Sequence, residues 1–212
     1  MDAEHRHELK TNELADWIGH FPDFCRENAK TIIGVGLIIA AAVVFLYGRR
    51  VRTKSRFEQE AQAISLIKRL DYNKIATIQG RQENNTVAAG SIRRSAESLE
   101  MAAAEAKSPH VAALLLIKQG DAIRTDLHYR AQEVDADVIG NQIKNARKAY
   151  DKALILAQGN NTLVAMANFG LGMCAEEIGD YTKAGKIYNS IIANAEFAGT
   201  VLPRQAQDRL DN

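Results

Sequence analysis

Apolar residues fall along this chain in two rhythms. From Thr31 to Gly48 (TIIGVGLIIAAAVVFLYG) they run on with no charge among them. The hydrocarbon core of a bilayer takes about 20 apolar residues of helix, with a usable range of about 17–25. The run therefore predicts a membrane-spanning helix, lengthened by Ala29 and by the stem of Lys30, whose ammonium can reach the interface. Tyr47 sits at the far boundary, where an aromatic ring suits the headgroup region. Beyond the run, apolar positions recur every three or four residues, the spacing of a half-buried helix.

Those later positions divide into successive helices. Phe57, Ala61, Ile64, Ile67 and Leu70 predict one over Ser55–Leu70, and GRQENNT at 80–86 reads as a loop. Val87–Lys107, rich in Ala and Glu, predicts a second. Ser108 as a cap and Pro109 in the first turn start a third, Val111–Leu127. The stretch 128–140 is polar and reads as an insertion. Three further faces follow. The first is Ile143, Ala146, Tyr150, Ala153, Leu154 and Ala157. The second is Leu163, Met166, Ala167, Gly170 and Cys174. The third is Tyr181, Ala184, Ile187, Tyr188, Ile191 and Ala195.

Ahead of the span, Thr11 or Asn12 can cap a short helix whose Leu14, Trp17, Ile18 and Phe21 share a face, and Pro22 ends or restarts it. Such a helix lies on the bilayer interface or contacts a membrane partner. The domain plan is then a polar tail with this helix over 1–30 and the span over 31–48. A basic juxtamembrane segment and linking helix follow over 49–86, and a helical-repeat domain over 87–212. Gly36 and Ala40 form a small-xxx-small pair, leaving weak self-association of the span open beside an ordinary lipid-facing helix.

Composition and charge narrow the function. With 46% hydrophobic but only 6% aromatic residues and three prolines, the chain is expected to be all-α. A net charge of +1 gives no electrostatic case for nucleic acid as a partner. Arg49, Arg50, Arg52, Lys54 and Arg56 follow the span, against Arg26 and Lys30 close before it, and the positive-inside rule puts the large domain in the cytoplasm. No enzyme chemistry is expected. Gly34 and Gly36 lie inside the span rather than in a phosphate loop, and His20, His110 and His128 have no nucleophile paired with them by motif. His5 and His7 complete no coordination geometry, so neither metal nor cofactor is expected. Cys25 and Cys174 read as free thiols, and Asn84 and Asn160 as turn residues.

The end of the chain carries a resemblance. ARKAYDKALILA and AGKIYNSIIANA overlay, matching Ala146 to Ala184, Tyr150 to Tyr188 and Ala153-Leu154 to Ile191-Ile192. Asn168-Phe-Gly-Leu171-Gly172, then Gly179-Asp180-Tyr181, Ala184, Tyr188 and Ile191-Ile192, resembles a tetratricopeptide repeat (TPR), whose period is about 34 residues. It departs from that pattern at Asn168, at Ala175 and in having no proline after the second helix. The resemblance implies one span followed by a TPR-like α-solenoid of about three helix pairs. In it Gly172 and Ala184 allow close helix approach, Gly179 makes the turn, and Tyr188 fills a groove. It also implies a partner-binding groove lined by Met166, Phe169, Met173 and Glu176, which alternatively pack against a neighbouring helix.

The whole layout is similar to the YfgM-like ancillary subunits of the bacterial SecYEG translocon. Phe24–Lys30 running into the span looks like that family's approach to its anchor, and Ala96-Glu97 through Ala113 like its first repeat junction. That likeness implies the bacterial inner membrane, a cytoplasmic tail, a periplasmic C-terminal domain, and partners among the translocon and periplasmic chaperones. The basic cluster Arg49–Arg56 opposes that orientation. The reading leans to the family, because Asp and Glu in the tail count little in the charge rule.

Overall fold

The computed structural model describes residues 21–22, 24–82, 90–129 and 134–212, and every regular element among them is helical. The Trp17 helix, the His5 and His7 tail and the Asn84-Asn85-Thr86 turn lie outside the described residues. The elements are α1 (Ala29–Gln82), α2 (Ser91–Glu105), α3 (Pro109–His128), α4 (Ala136–Leu156), α5 (Asn161–Glu177), α6 (Tyr181–Ala193), a 3-10 turn (Ala195–Phe197) and α7 (Leu202–Leu210).

The chain divides into two compact units, Met1–Lys54 and Ser55–Asn212. In the first, α1 is long and apolar enough to cross a membrane, and none of its apolar window is buried. Tyr47, Arg49 and Arg50 are exposed, as are Lys30 and most of the apolar side chains between them. The Arg49 guanidinium lies 5.9 Å from the Phe45 ring centroid, a distance at which ring and cation attract. Gly36 has nothing within 4 Å of the place its Cβ would occupy, and Ala40 is exposed, so that face is open within this unit.

The second unit begins with the end of α1, so the residues that read as a linking helix contribute to the core. Ala63 and Leu70 are buried there, 4% and 0% exposed. Polar bonds tie the same stretch to α2: Asn73 Nδ2 donates to Ser95 Oγ at 2.8 Å, and the Thr77 and Ser91 hydroxyls meet at 3.2 Å. Gln59 Oε1 accepts from the Lys107 backbone N–H at 3.1 Å.

Caps explain where the helices start and stop. Ser108 Oγ accepts from Val111 N ahead of Pro109. Asn160 Oδ1 accepts from Leu163 N at 3.2 Å, and Asp180 Oδ1 from Lys183 N at 3.0 Å. Gly179 takes φ +77°, with Asp180 N bonded to Ala175 O and Gly179 N to Glu176 O. That pair of bonds satisfies two end carbonyls of α5 in a Schellman turn, which a residue with a Cβ could enter only under strain.

Each helix from α2 onward packs on the next, and in addition α3 packs on α5 and α5 on α7. Odd-numbered helices thus touch one another across the even-numbered one between them. Two apolar clusters result. One centres on α3 with Leu115, Ile117, Ile143 and Tyr150, and the other on Tyr188, Ile191, Phe197 and Ala206.

Candidate protein-interaction site

The two tyrosines matched in the sequence overlay occupy equivalent grooves. Tyr150 (α4) is fully buried, and a Cβ placed on Gly120 of α3 would come within 2.6 Å of its ring, and one on Gly170 of α5 closer still. Tyr188 (α6) is 1% exposed, and a Cβ on Gly172 would come within 2.5 Å of its ring. No such approach is compatible with van der Waals radii, so glycine at these places is a packing requirement. Ala146 and Ala184, one turn before each tyrosine, are buried at 0% and 2% exposure.

Both tyrosines end beside an arginine–carboxylate pair that joins two odd-numbered helices. The Tyr150 hydroxyl donates to Asp121 Oδ1 at 2.7 Å, and Lys118 Nζ donates to Asp121 Oδ2 at 3.3 Å. One turn on, Arg124 of α3 donates to Glu177 Oε1 of α5 at 2.7 Å, with the two side chains only 9% and 13% exposed. His128 Nε2 lies 3.0 Å from the same oxygen. At the next seam the signs are exchanged: Glu176 of α5 takes two guanidinium nitrogens of Arg209 from α7, with Nε 3.1 Å from Oε2. Burial costs the Arg124 guanidinium hydration, but the Tyr150 phenol and the Glu177 carboxylate more than restore its proton affinity, so it stays charged. Burial, then the Glu176 charge, raises the Tyr188 phenol above its ordinary range.

The residues expected to line a partner groove are placed as follows. Met166, Phe169 and Met173 are half-buried against the second cluster, and the Phe169 and Tyr188 rings lie 5.5 Å apart at 44°. Glu176 is committed to Arg209. Gly172 is buried, Gly179 is at the surface turn, and Tyr181 is 73% exposed at the start of α6. Sequence reasoning passed over Gly120, Asp121, Arg124, Glu177 and Arg209. The one signal available was Gly120, at the start of a helix half that ends, like Gly172, against a tyrosine. Thirty residues separate it from Tyr150 (150 − 120) but sixteen separate Gly172 from Tyr188 (188 − 172), so the connection before α4 hid the match.

Cys174 is fully buried beside this seam, and burial pushes its thiol up to about 12 from an ordinary 9.0. The folded chain therefore keeps the proton between pH 9 and 12 while the unfolded chain loses it. This contribution to stability is intact below pH 9 and is lost as pH rises through the window. In a Cys25→Ala background, an alkylating reagent at pH 8 is expected to leave Cys174 unmodified until denaturant is added. Labelling of the native protein at the rate of a small free thiol would contradict the burial.

Among the described residues, no group of three or more His, Cys, Asp or Glu side chains is arranged to hold a metal ion. A cavity between α1, α2 and α3 has Gln59, Gln62 and Glu105 at its rim and Ala63, Ala106 and Leu115 among its lining. No family model matches the chain, and no curated protein and no solved structure matches it either.

Proposed function

We propose that this chain is a membrane-anchored TPR-type adaptor that binds other proteins and works with protein-export or envelope-folding machinery, its domain on the periplasmic side of a bacterial inner membrane. The observation that carries the reading is the repeated unit. Gly120 with Tyr150, and Gly172 with Tyr188, place an aromatic ring of one helix in the gap left by a glycine of its partner. Packing of α3 on α5 and α5 on α7 supports a stacked, quasi-one-dimensional array, the architecture that offers extended surfaces to peptides. The apolar run of α1 supports the anchor. Cross-linking in intact membranes followed by purification of the full chain is expected to recover translocon or chaperone components; repeated recovery of neither would remove the export assignment.

A second reading, an assembly or stabilising subunit of a membrane complex, is favoured by one feature. Ile64, Tyr72, Ile75 and Ile78 of α1 are all 40% or more exposed. They project to one side of that helix, away from Ala63 and Leu70, and so leave an apolar stripe for a protein partner. Under this reading a chain truncated after Gln82 still joins its complex, whereas under the adaptor reading it does not.

A further inference from the structure

The outer faces of α4 and α6 carry exposed lysines that make no ion pair among the described residues. On α4, Lys144, Lys148 and Lys152 are exposed at intervals of four, and therefore form one row along the helix. The row runs into Ile155, 69% exposed. It lies opposite the buried Ala146, Tyr150 and Ala153. On α6, Lys186 stands where Lys148 does when Tyr150 and Tyr188 are overlaid, both two residues before the tyrosine, and Lys183 is exposed one turn earlier.

None of these five lysines makes an ion pair among the described residues. Like charges four apart weaken a helix, and alternating them with carboxylates would have relieved the repulsion. Helix α2 does alternate in this way: Arg93 pairs with Glu97, and Glu100 and Glu105 follow. Helix α4 has Asp137 and Asp151 as its only acidic residues, each seven residues from Lys144 and so on the same face, which leaves three lysines against two carboxylates there, and α6 has no acidic residue.

We propose that this lysine face docks on an anionic lipid surface. The proposal rests on the reading of Thr31–Gly48 as a membrane span. The face is a row along helix exteriors, so it responds to charge density rather than to shape. Lysine ammoniums are point charges without the planar fork that selects a single carboxylate or phosphate, and they suit many interchangeable headgroups. Ile155 supplies an exposed apolar side chain of the kind that enters the interfacial layer.

The test uses the full chain carrying Cys25→Ala and a nitroxide on Ile155→Cys, with buried Cys174 left unlabelled. It is reconstituted in phosphatidylcholine vesicles with or without phosphatidylglycerol. With phosphatidylglycerol present, collisions of the label with oxygen are expected to rise and those with a water-soluble relaxing agent to fall. High salt should reverse both changes. Replacing Lys144, Lys148 and Lys152 by glutamine should lower the docking equilibrium constant by about fivefold for each lysine lost. Should the label stay aqueous in phosphatidylglycerol vesicles while the protein resists carbonate extraction, the anchor stands and the docking is overturned. Should carbonate release the protein, the span reading fails and the docking falls with it. An aqueous label together with salt-sensitive capture of a polyglutamate peptide would assign the face to an acidic protein and equally overturn the lipid docking.

Discussion

Replacing Arg124 by methionine is expected to destabilise the C-terminal unit by about 3–5 kcal/mol, because it strands the Glu177 carboxylate in a site almost closed to water. His128, beside the same oxygen but 62% exposed, can compensate only in part. For a unit of this size the midpoint of thermal unfolding should fall by roughly 10 °C. The informative comparison is the double variant Arg124→Met with Glu177→Leu. Taking both charges out removes the desolvation problem altogether, and apolar replacements of buried ion pairs are often neutral or stabilising. The double variant should therefore be more stable than Arg124→Met alone. If the two substitutions simply added, the pair would be shown to be independent in energy despite its 2.7 Å contact. Circular dichroism melting and the onset of Cys174 alkylation report the same unfolding by two probes.

Gly170→Val is the second large effect. The Tyr150 ring is held between α3 and α5, and a side chain on Gly170 would occupy space that the ring already fills. The ring cannot retreat, because a Cβ on Gly120 would stand only 2.6 Å from its other side. Overpacking of this kind costs about 1–3 kcal/mol, and a branched side chain between two rigid helices belongs at the upper end of that range. Gly140→Ala is the control. It is also in a helix, nothing lies within 4 Å of its Cβ position, and alanine should help there by up to about 1 kcal/mol through helix propensity. Shrinking the ring with Tyr150→Leu should recover part of the loss in the Gly170→Val background, although Tyr150→Leu alone costs both packing and the Asp121 hydrogen bond. A Gly170→Val chain as stable as the parent would mean that the α3–α5 seam opens without cost.

Much of the fold was legible before any coordinates. The cap at Ser108 is local chemistry, marked by Pro109 beside it, whereas Asn160 and Asp180 read only as turn residues and the structure shows that they cap α5 and α6. The matched pairs Ala146 with Ala184 and Tyr150 with Tyr188 are buried as pairs, because the two helices present the same face to the same kind of neighbour. Helix limits differed only where local signals were thin. The Val87–Lys107 expectation became Ser91–Glu105, α1 continues past Gly80 to Gln82, and α4 begins at Ala136, inside the 128–140 stretch that read as an insertion. Nothing between Gly48 and Gly80 breaks a helix, so the span and the linking helix form a single α1.

The groove residues show the limit of periodicity. Met166, Phe169 and Met173 are correctly grouped as one stripe by their spacing, but spacing does not say whether a stripe faces a partner or the next helix. Here they pack against the cluster of α6 and α7. The polar seam was less legible still. Arg124 and Glu177 are 53 residues apart and Glu176 and Arg209 are 33 apart, and on the page each is one charge among many on an amphipathic helix.

By itself, then, the sequence determined which stretches are helical, which side of each helix is apolar, that one helix is capped at Ser108, and that one apolar run is long enough to cross a membrane. These properties depend on residues within about one helical turn of one another or on the length of an uninterrupted run. Only the tertiary structure decided that Tyr150 shares its groove with two glycines from different helices, that Arg124 meets Glu177, and that Lys144, Lys148 and Lys152 make no ion pair among the described residues. Those outcomes depend on the registry between helices brought together across intervening segments, and packing and desolvation summed over the whole core set that registry, while no local signal encodes it.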